Sequence, residues 1–420
     1  MTARHAGRAP RRIVHVDLGA DLPPGATQPS AGGWMLVLWS DDAPVGDLVI
    51  PADELPLDPG AEQVLEARRE AAAVARARPV AQARTGADDV TVVVCTRDRT
   101  DGLARCLAAL GRSTAPPREV VVVDNAPTSD ATRRLVTGIP GVRYVREPRP
   151  GLDIARNTGL AAATTDFVAY TDDDAEPHRD WTWRIRQAFD EPSVVAVTGL
   201  VLPAELDTEA QVLFEDQAGF GRGYDRRDFG PEFLTRHRRW GAPVWDIGAG
   251  ANMAFRRAAV EAVGGFDERL DVGAAGCSGD SEMWYRLLAS GGRCRYDPAA
   301  VVQHHHRRDL QALRRQMHGY MRGHACALLV QFERHGDWGN LRRLLLVLPR
   351  YYAKAGLRTV ARRLLRSPQP ADALLGAQVR GYLAGVLFYA RSPRSRRGGA
   401  PGAGQQPGRP RPATTAQHHG

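Results

Sequence analysis

Residues 166–174 read DFVAYTDDD, an apolar strand that runs straight into three carboxylates. Upstream, VTVVVC (90–95) and EVVVVD (119–124) are short continuous apolar runs, as expected of strands buried on both faces. VRYVRE (142–147) is a further strand candidate. Segments of helical spacing separate them: LARCLAAL (103–110), DATRRLV (130–136) and ARNTGLAAA (155–163). Strand and helix alternating at this pitch predict an α/β fold with a mainly parallel sheet. In such sheets ligands bind beyond the carboxyl ends of the strands. Three strands here end in polar groups: Thr96-Arg97-Asp98, Asp124-Asn125 and Asp172-Asp173-Asp174.

Carboxylates on a short turn after a strand can hold a divalent cation, and such a cation can bridge a diphosphate. An acidic surface turn is the competing reading; the position beside other polar strand ends favours the site. Asp124 is either a turn residue or an acceptor for a base or ribose. Arg156, early in a helix, is either solvated or a donor near a nucleotide. Asp280 and Glu282, in GDSEMWYRLL, either complement a helix N-terminus or supply a general base. Of the three histidines 304–306, His304 and His306 share one face of a strand and His305 the other.

Outside this region the chain changes character. WMLVLWSDDAPVGDLVI (34–50) reads as two strands around a turn, and residues 61–83 as a helix. NMAFRRAAVEAVGGFDE (252–268) reads as strand, helix and Gly-Gly cap. CRYDPAAVVQHHHR (294–307) reads as strand, turn, strand, and 311–366 as helical with a break at Pro349. Residues 1–30 are expected to be ordered only in part. The expected organisation is an accessory β-hairpin and helix module at 1–87, a catalytic domain at 88–306, a basic helical extension at 307–390 and a disordered tail at 391–420.

The net charge of +8 hides a division: residues 1–300 carry 35 Arg and Lys against 44 Asp and Glu, residues 301–420 carry 21 against 4. The basic third calls for an anionic partner. Nucleic acid would want aromatic residues interleaved with the charge, and only Tyr351-Tyr352 offers that, so none is expected. Residues 338–371 hold eight basic residues and no acid among leucines, a pattern suited to an anionic membrane surface, chiefly through 338–366. Packing of those leucines on the protein is the equal alternative. Five scattered cysteines without a CxxC pair suggest no zinc site and a reducing compartment. The N-terminal stretch has no apolar signal region and the chain no run of 18 apolar residues, so the expectation is a cytoplasmic protein, peripheral on the inner membrane face, with no spanning helix.

Taken in order, VVVCTRDRTDGLARCLAAL, VVVVDNAPTSD, GLDIARN, YTDDDAEP, GAGANMAFRRAAVEAVGGFDE and GDSEMWYRLLASG resemble the family 2 glycosyltransferases, over roughly residues 88–306. The resemblance implies a GT-A fold, a nucleotide-sugar donor of the UDP, GDP or dTDP type and a glycan or lipid-linked hydroxyl acceptor. It implies that Thr96, Asp124 and Arg156 contact the base, that Asp172 and Asp173 lie on the ribose or diphosphate side, and that Asp174 and His304 hold Mn2+ or Mg2+. Asp280 becomes the base of an inverting displacement. Many members carry Glu-Asp where this chain has Gly279-Asp280; Glu282 is the expected substitute for the missing neighbour. A nucleotidyltransferase on a similar sheet is the nearest alternative, but its triphosphate loop would be richer in glycine than CTRDRTDG (95–102).

Overall fold

The computed structural model describes residues 9–22, 30–55, 60–78, 86–271, 274–365 and 372–392. The chain opens with a three-stranded sheet of β1 (Arg12–Asp17), β2 (Trp34–Ser40) and β3 (Ala43–Ile50), covered by α1 (Glu62–Ala77). The two strands around Ser40–Pro44 were legible; β1, paired parallel to β2, was not. The remainder of the helix expected at 61–83, the tail from 393 and parts of 1–30 lie outside the described residues.

The central unit runs β4 (Ala87–Thr96), α2 (Thr100–Gly111), β5 (Pro117–Asn125), α3 (Ala131–Val136), β6 (Val142–Glu147), α4 (Leu152–Ala162), β7 (Phe167–Asp172), β8 (Ala175–Pro177), α5 (Trp181–Gln187), β9 (Val194–Pro203) and α6 (Glu209–Ala218). It continues through β10 (Arg227–Phe229), α7 (Pro231–His237), β11 (Asn252–Arg256), α8 (Arg257–Ala262), α9 (Gly279–Ala289) and β12 (Arg293–His304). The strands form one sheet in the order β10-β12-β9-β11-β7-β4-β5-β6, with β8 pairing β12. The stretch β7-β4-β5-β6 is parallel throughout. Val93 of β4 packs into one core and Val92 and Val94 into another, all fully buried. Both faces are therefore covered, which is why the strand is apolar without alternation. A fully buried valine contributes roughly 1.5–3 kcal/mol.

The chain winds from β4 out to β6 and then returns to place β7 on the other side of β4. This is a topological switch, and the carboxyl ends of β4 and β7 flank its crevice. β11 enters antiparallel beside β7 with Asn252 opposite Thr171, so the loop before it meets the same edge. β12 is one strand with an irregular register between Asp297 and Val301, rather than two.

Beyond the sheet lie α10 (Leu310–His335), α11 (Trp338–Arg342), α12 (Leu348–Leu364) and α13 (Asp372–Arg391). Gly336 ends α10 at φ 63°, and a wide π-type turn at Arg343–Val347 precedes α12, with Pro349 in its first turn. By length and composition α13 is apolar enough to cross a membrane, contrary to expectation. Its Gly381 and Gly385 approach the backbone carbonyls of His318 and Arg322 on α10, so it is built into the helical layer.

Candidate active site

The carboxylates after β7 are held by three elements. Thr96 Oγ1, ending β4, donates to Asp173 Oδ2 at 2.7 Å. Arg99, in the turn into α2, bonds Asp173 at 2.6 Å and Asp174 at 2.7 Å. Residue 102 must be small because a Cβ there would lie 2.7 Å from the Asp173 carbonyl oxygen. Pairing of β8 with β12 sets Ala175 opposite His304, and His304 Nε2 reaches Asp174 Oδ1 at 3.2 Å. Arg307 stands 3.5 Å from the other oxygen of Asp174.

Burial opposes the charge on Asp174, yet His304 and Arg99 hold its carboxyl far below the ordinary range. Asp172 moves the opposite way, raised by burial and by the charge of Asp174. Burial pushes Asp173 up to about 6 against the pull of Arg99. One ligand atom each from Asp172, Asp174 and His304 fall within 4.8 Å of one another. Two carboxylates and an imidazole are a donor set that suits Mn2+ or Mg2+. His304 Nδ1 meets His306 Nδ1 at 3.1 Å, and His306 Nε2 meets Glu215 at 2.9 Å. This chain fixes the His304 ring as outer-shell partners fix a metal-ligating imidazole. His305 turns away to Glu176, at 2.8 Å.

The second half of the site comes from α4 and α9. Asp271 accepts the amides of Asp153 and Ile154 at 2.8 and 3.1 Å, and that of Leu152, capping α4. In the first turn Asp153 Oδ1 accepts from Arg156 Nη1 at 2.9 Å. Burial opposes the Arg156 charge, but Asp153, Asp172 and Asp280 outweigh it and raise its pKa. Ser278, at φ 91°, turns the chain sharply into α9. Asp280 follows, its Oδ1 accepting the Ser281 amide at 2.7 Å. A Cβ on Gly250 would lie 2.7 Å from Arg156 Nη2 and 2.9 Å from Asp280 Oδ2, so these two side chains converge there.

Asp124, fully buried at the end of β5, accepts Tyr144 OH at 2.9 Å; burial raises its carboxyl despite that bond and Thr132 nearby. Glu282 is not brought to the site. It is 0% exposed and paired with Arg286 at 2.7 Å and Arg334 at 3.0 Å, tying α9 to α10. A residue two positions along a helix points roughly 200° away, so Asp280 and Glu282 cannot share a face. From the sequence, Arg99 and Asp153 have no role of their own, and His306 is marked only as one of a histidine cluster that either ligates a metal or lies on the surface.

Residues 91–264 match the profile of the Glycosyl transferase family 2. The chain is 31% identical over 229 residues to a pre-mycofactocin glycosyltransferase of Mycobacterium tuberculosis, covering 53% of this chain and 44% of that protein. It is 28% identical over 221 residues to the succinoglycan biosynthesis protein ExoM of Rhizobium meliloti, covering 51% and 65%. Among solved structures, mannosyltransferase PcManGT from Pyrobaculum calidifontis, in complex with GDP-Man and Mn2+, is 23% identical with a TM-score of 0.48, covering 75% of this chain and 92% of that one. The chain spans about half the length of the curated relatives it matches.

Proposed function

We propose that this chain, whose residues 91–264 match the Glycosyl transferase family 2 model, is a glycosyltransferase of GT-A type that moves a sugar from a nucleoside-diphosphate sugar to a hydroxyl acceptor, with inversion and with a divalent cation. The observation that carries this reading is the meeting of Asp172, Asp174 and His304 at the edge where Arg156 and Asp280 also converge. Bound by those three ligands, Mn2+ or Mg2+ would supply Lewis-acid stabilisation of the leaving diphosphate. The chain's own residues do the rest. Arg99, 40% exposed at its side chain, is a cation within reach of an incoming phosphate. Asp124 and Thr96 sit at the strand ends where a nucleoside would lie.

Asp280 keeps one oxygen on the Ser281 amide and turns the other towards Gly250. It takes the proton of the acceptor hydroxyl as that oxygen bonds the anomeric carbon and the bond to the diphosphate oxygen breaks. A panel of UDP-, GDP- and dTDP-sugars, offered with Mn2+ and a glycan or lipid-linked acceptor, tests the proposal. One donor class is expected to release its nucleoside diphosphate in an acceptor-dependent way. No release from any donor by the folded protein would contradict it.

We also propose that the C-terminal helices rest on an anionic membrane surface. Packing accounts for Leu344, Leu348 and Tyr352, which are buried. It leaves Leu357, Leu364 and Leu365 between 72% and 80% exposed, beside Arg350, Lys354, Arg358 and Arg363. A basic residue near such a surface contributes about 1 kcal/mol before screening. In flotation assays the protein is expected to rise with anionic but not neutral vesicles, and less so in high salt. Leu357→Ser/Leu364→Ser/Leu365→Ser should weaken the binding at unchanged melting temperature. Indifference of the wild type to anionic vesicles would favour a purely solvated surface.

A further inference from the structure

The resemblance implies Glu-Asp where this chain has Gly279-Asp280, and Glu282, paired with Arg286 and Arg334, does not fill the gap. The structure puts another carboxylate in that place. A Cβ built on Gly279 would coincide with the carboxylate of Asp153, whose Oδ2, Cγ and Oδ1 are its three nearest atoms. Asp153 belongs to α4, 126 positions earlier in the chain. It is 1% exposed, and its Oδ2, the oxygen against Gly279, has no hydrogen-bond partner among the described residues. An acceptor buried without a donor costs on the order of 1–3 kcal/mol, a cost the fold carries here at the edge of the site. Burial pushes this carboxyl up to about 7, with Asp271 and Asp280 adding to the shift and Arg156 opposing it.

We infer that Asp153 is a positioning residue: from α4 it supplies the carboxylate that position 279 lacks, holding Arg156 in place beside Asp280 and seating the first turn of α9. This rests on the reading of Asp280 as the base. The geometry gives the reason. Arg156 is bonded to Asp153 through Nη1 and turns Nη2 towards Gly250, where Asp280 Oδ2 also points. Without Asp153 the guanidinium is free to close on Asp280 and neutralise the proton acceptor. The exchange also explains the glycine: with Asp153 present, no side chain fits at 279.

The test is an exchange of the carboxylate between helices. Asp153→Ala is expected to lower kcat by about 10–100-fold, the scale on which outer-shell partners act, with the donor KM changed by less than about threefold. Adding Gly279→Ala to it restores volume alone, and kcat should stay low. Adding Gly279→Glu instead restores a carboxylate within reach of Arg156, and most of kcat should return. Equal recovery with alanine and glutamate at 279 would reduce Asp153 to a space-filler, and recovery with neither would overturn the exchange. If Asp153→Ala fails to fold, Asp153→Asn keeps the volume and should show the same fall in kcat at near-normal melting temperature; wild-type kcat in Asp153→Asn overturns the inference. Asp280→Asn, run alongside, separates the two readings. An active Asp280→Asn variant removes the premise, whereas an inactive one beside a fully active Asp153→Ala variant sinks only the present inference.

Discussion

Asp174→Ala is expected to abolish turnover and to remove the metal-dependent part of nucleotide-sugar binding. Asp174 is the hub of the cluster: His304, Arg99 and Arg307 all face it. On the proposed reading its loss takes one ligand from the cation, and it leaves His304 without its carboxylate. A cation at the leaving diphosphate is worth several kcal/mol, and about 4 kcal/mol is roughly a thousandfold in rate. Titration calorimetry with Mn2+ and nucleoside diphosphate, and turnover with and without chelator, measure the two effects. The site should also bind the cation more tightly as pH rises. Protons compete for Asp172, raised by burial and Asp174, and for His304, which Asp174 raises against the effect of burial. Both competitors weaken with increasing pH. Full activity in chelator, or an active Asp174→Ala variant, would remove the metal from the account.

The second large effect belongs to Asp280. Asp280→Asn keeps the size of the side chain and an acceptor for the Ser281 amide but cannot take a proton. Loss of a general base costs on the order of 10²–10⁴ in rate. Donor affinity should hold within a few-fold, because the proposed cation ligands are untouched. Glu282→Gln should behave in the opposite sense. It breaks a buried pairing with Arg286 and Arg334, which costs about 3–5 kcal/mol of stability, and the folded fraction should keep its kcat. A normal kcat in Asp280→Asn with a dead but well-folded Glu282→Gln would exchange the two assignments.

The parallel sheet and the polar strand ends were legible because the strands carry their own signal: apolar runs where both faces are buried, then polar groups at the crevice. β1 was hidden because RIVHVD is short and half-exposed, and its partner β2 begins 17 residues later in the sequence, at Trp34. Two carboxylates in GDSEMWYRLL read alike on paper. Only packing tells that Asp280 faces Gly250 and that Glu282 is locked between arginines. Asp153 stands within GLDIARN, but nothing local says that it meets Gly279 from another helix. Long-range substitution of one side chain for another needs coordinates.

The direct displacement proposed here is tested most closely by the anomeric configuration of the product, read by NMR from the anomeric proton coupling, with the donor that turns over. A single attack by the acceptor, with Asp280 as its base, predicts the configuration opposite to the donor's. Retention of the donor's configuration would contradict the account.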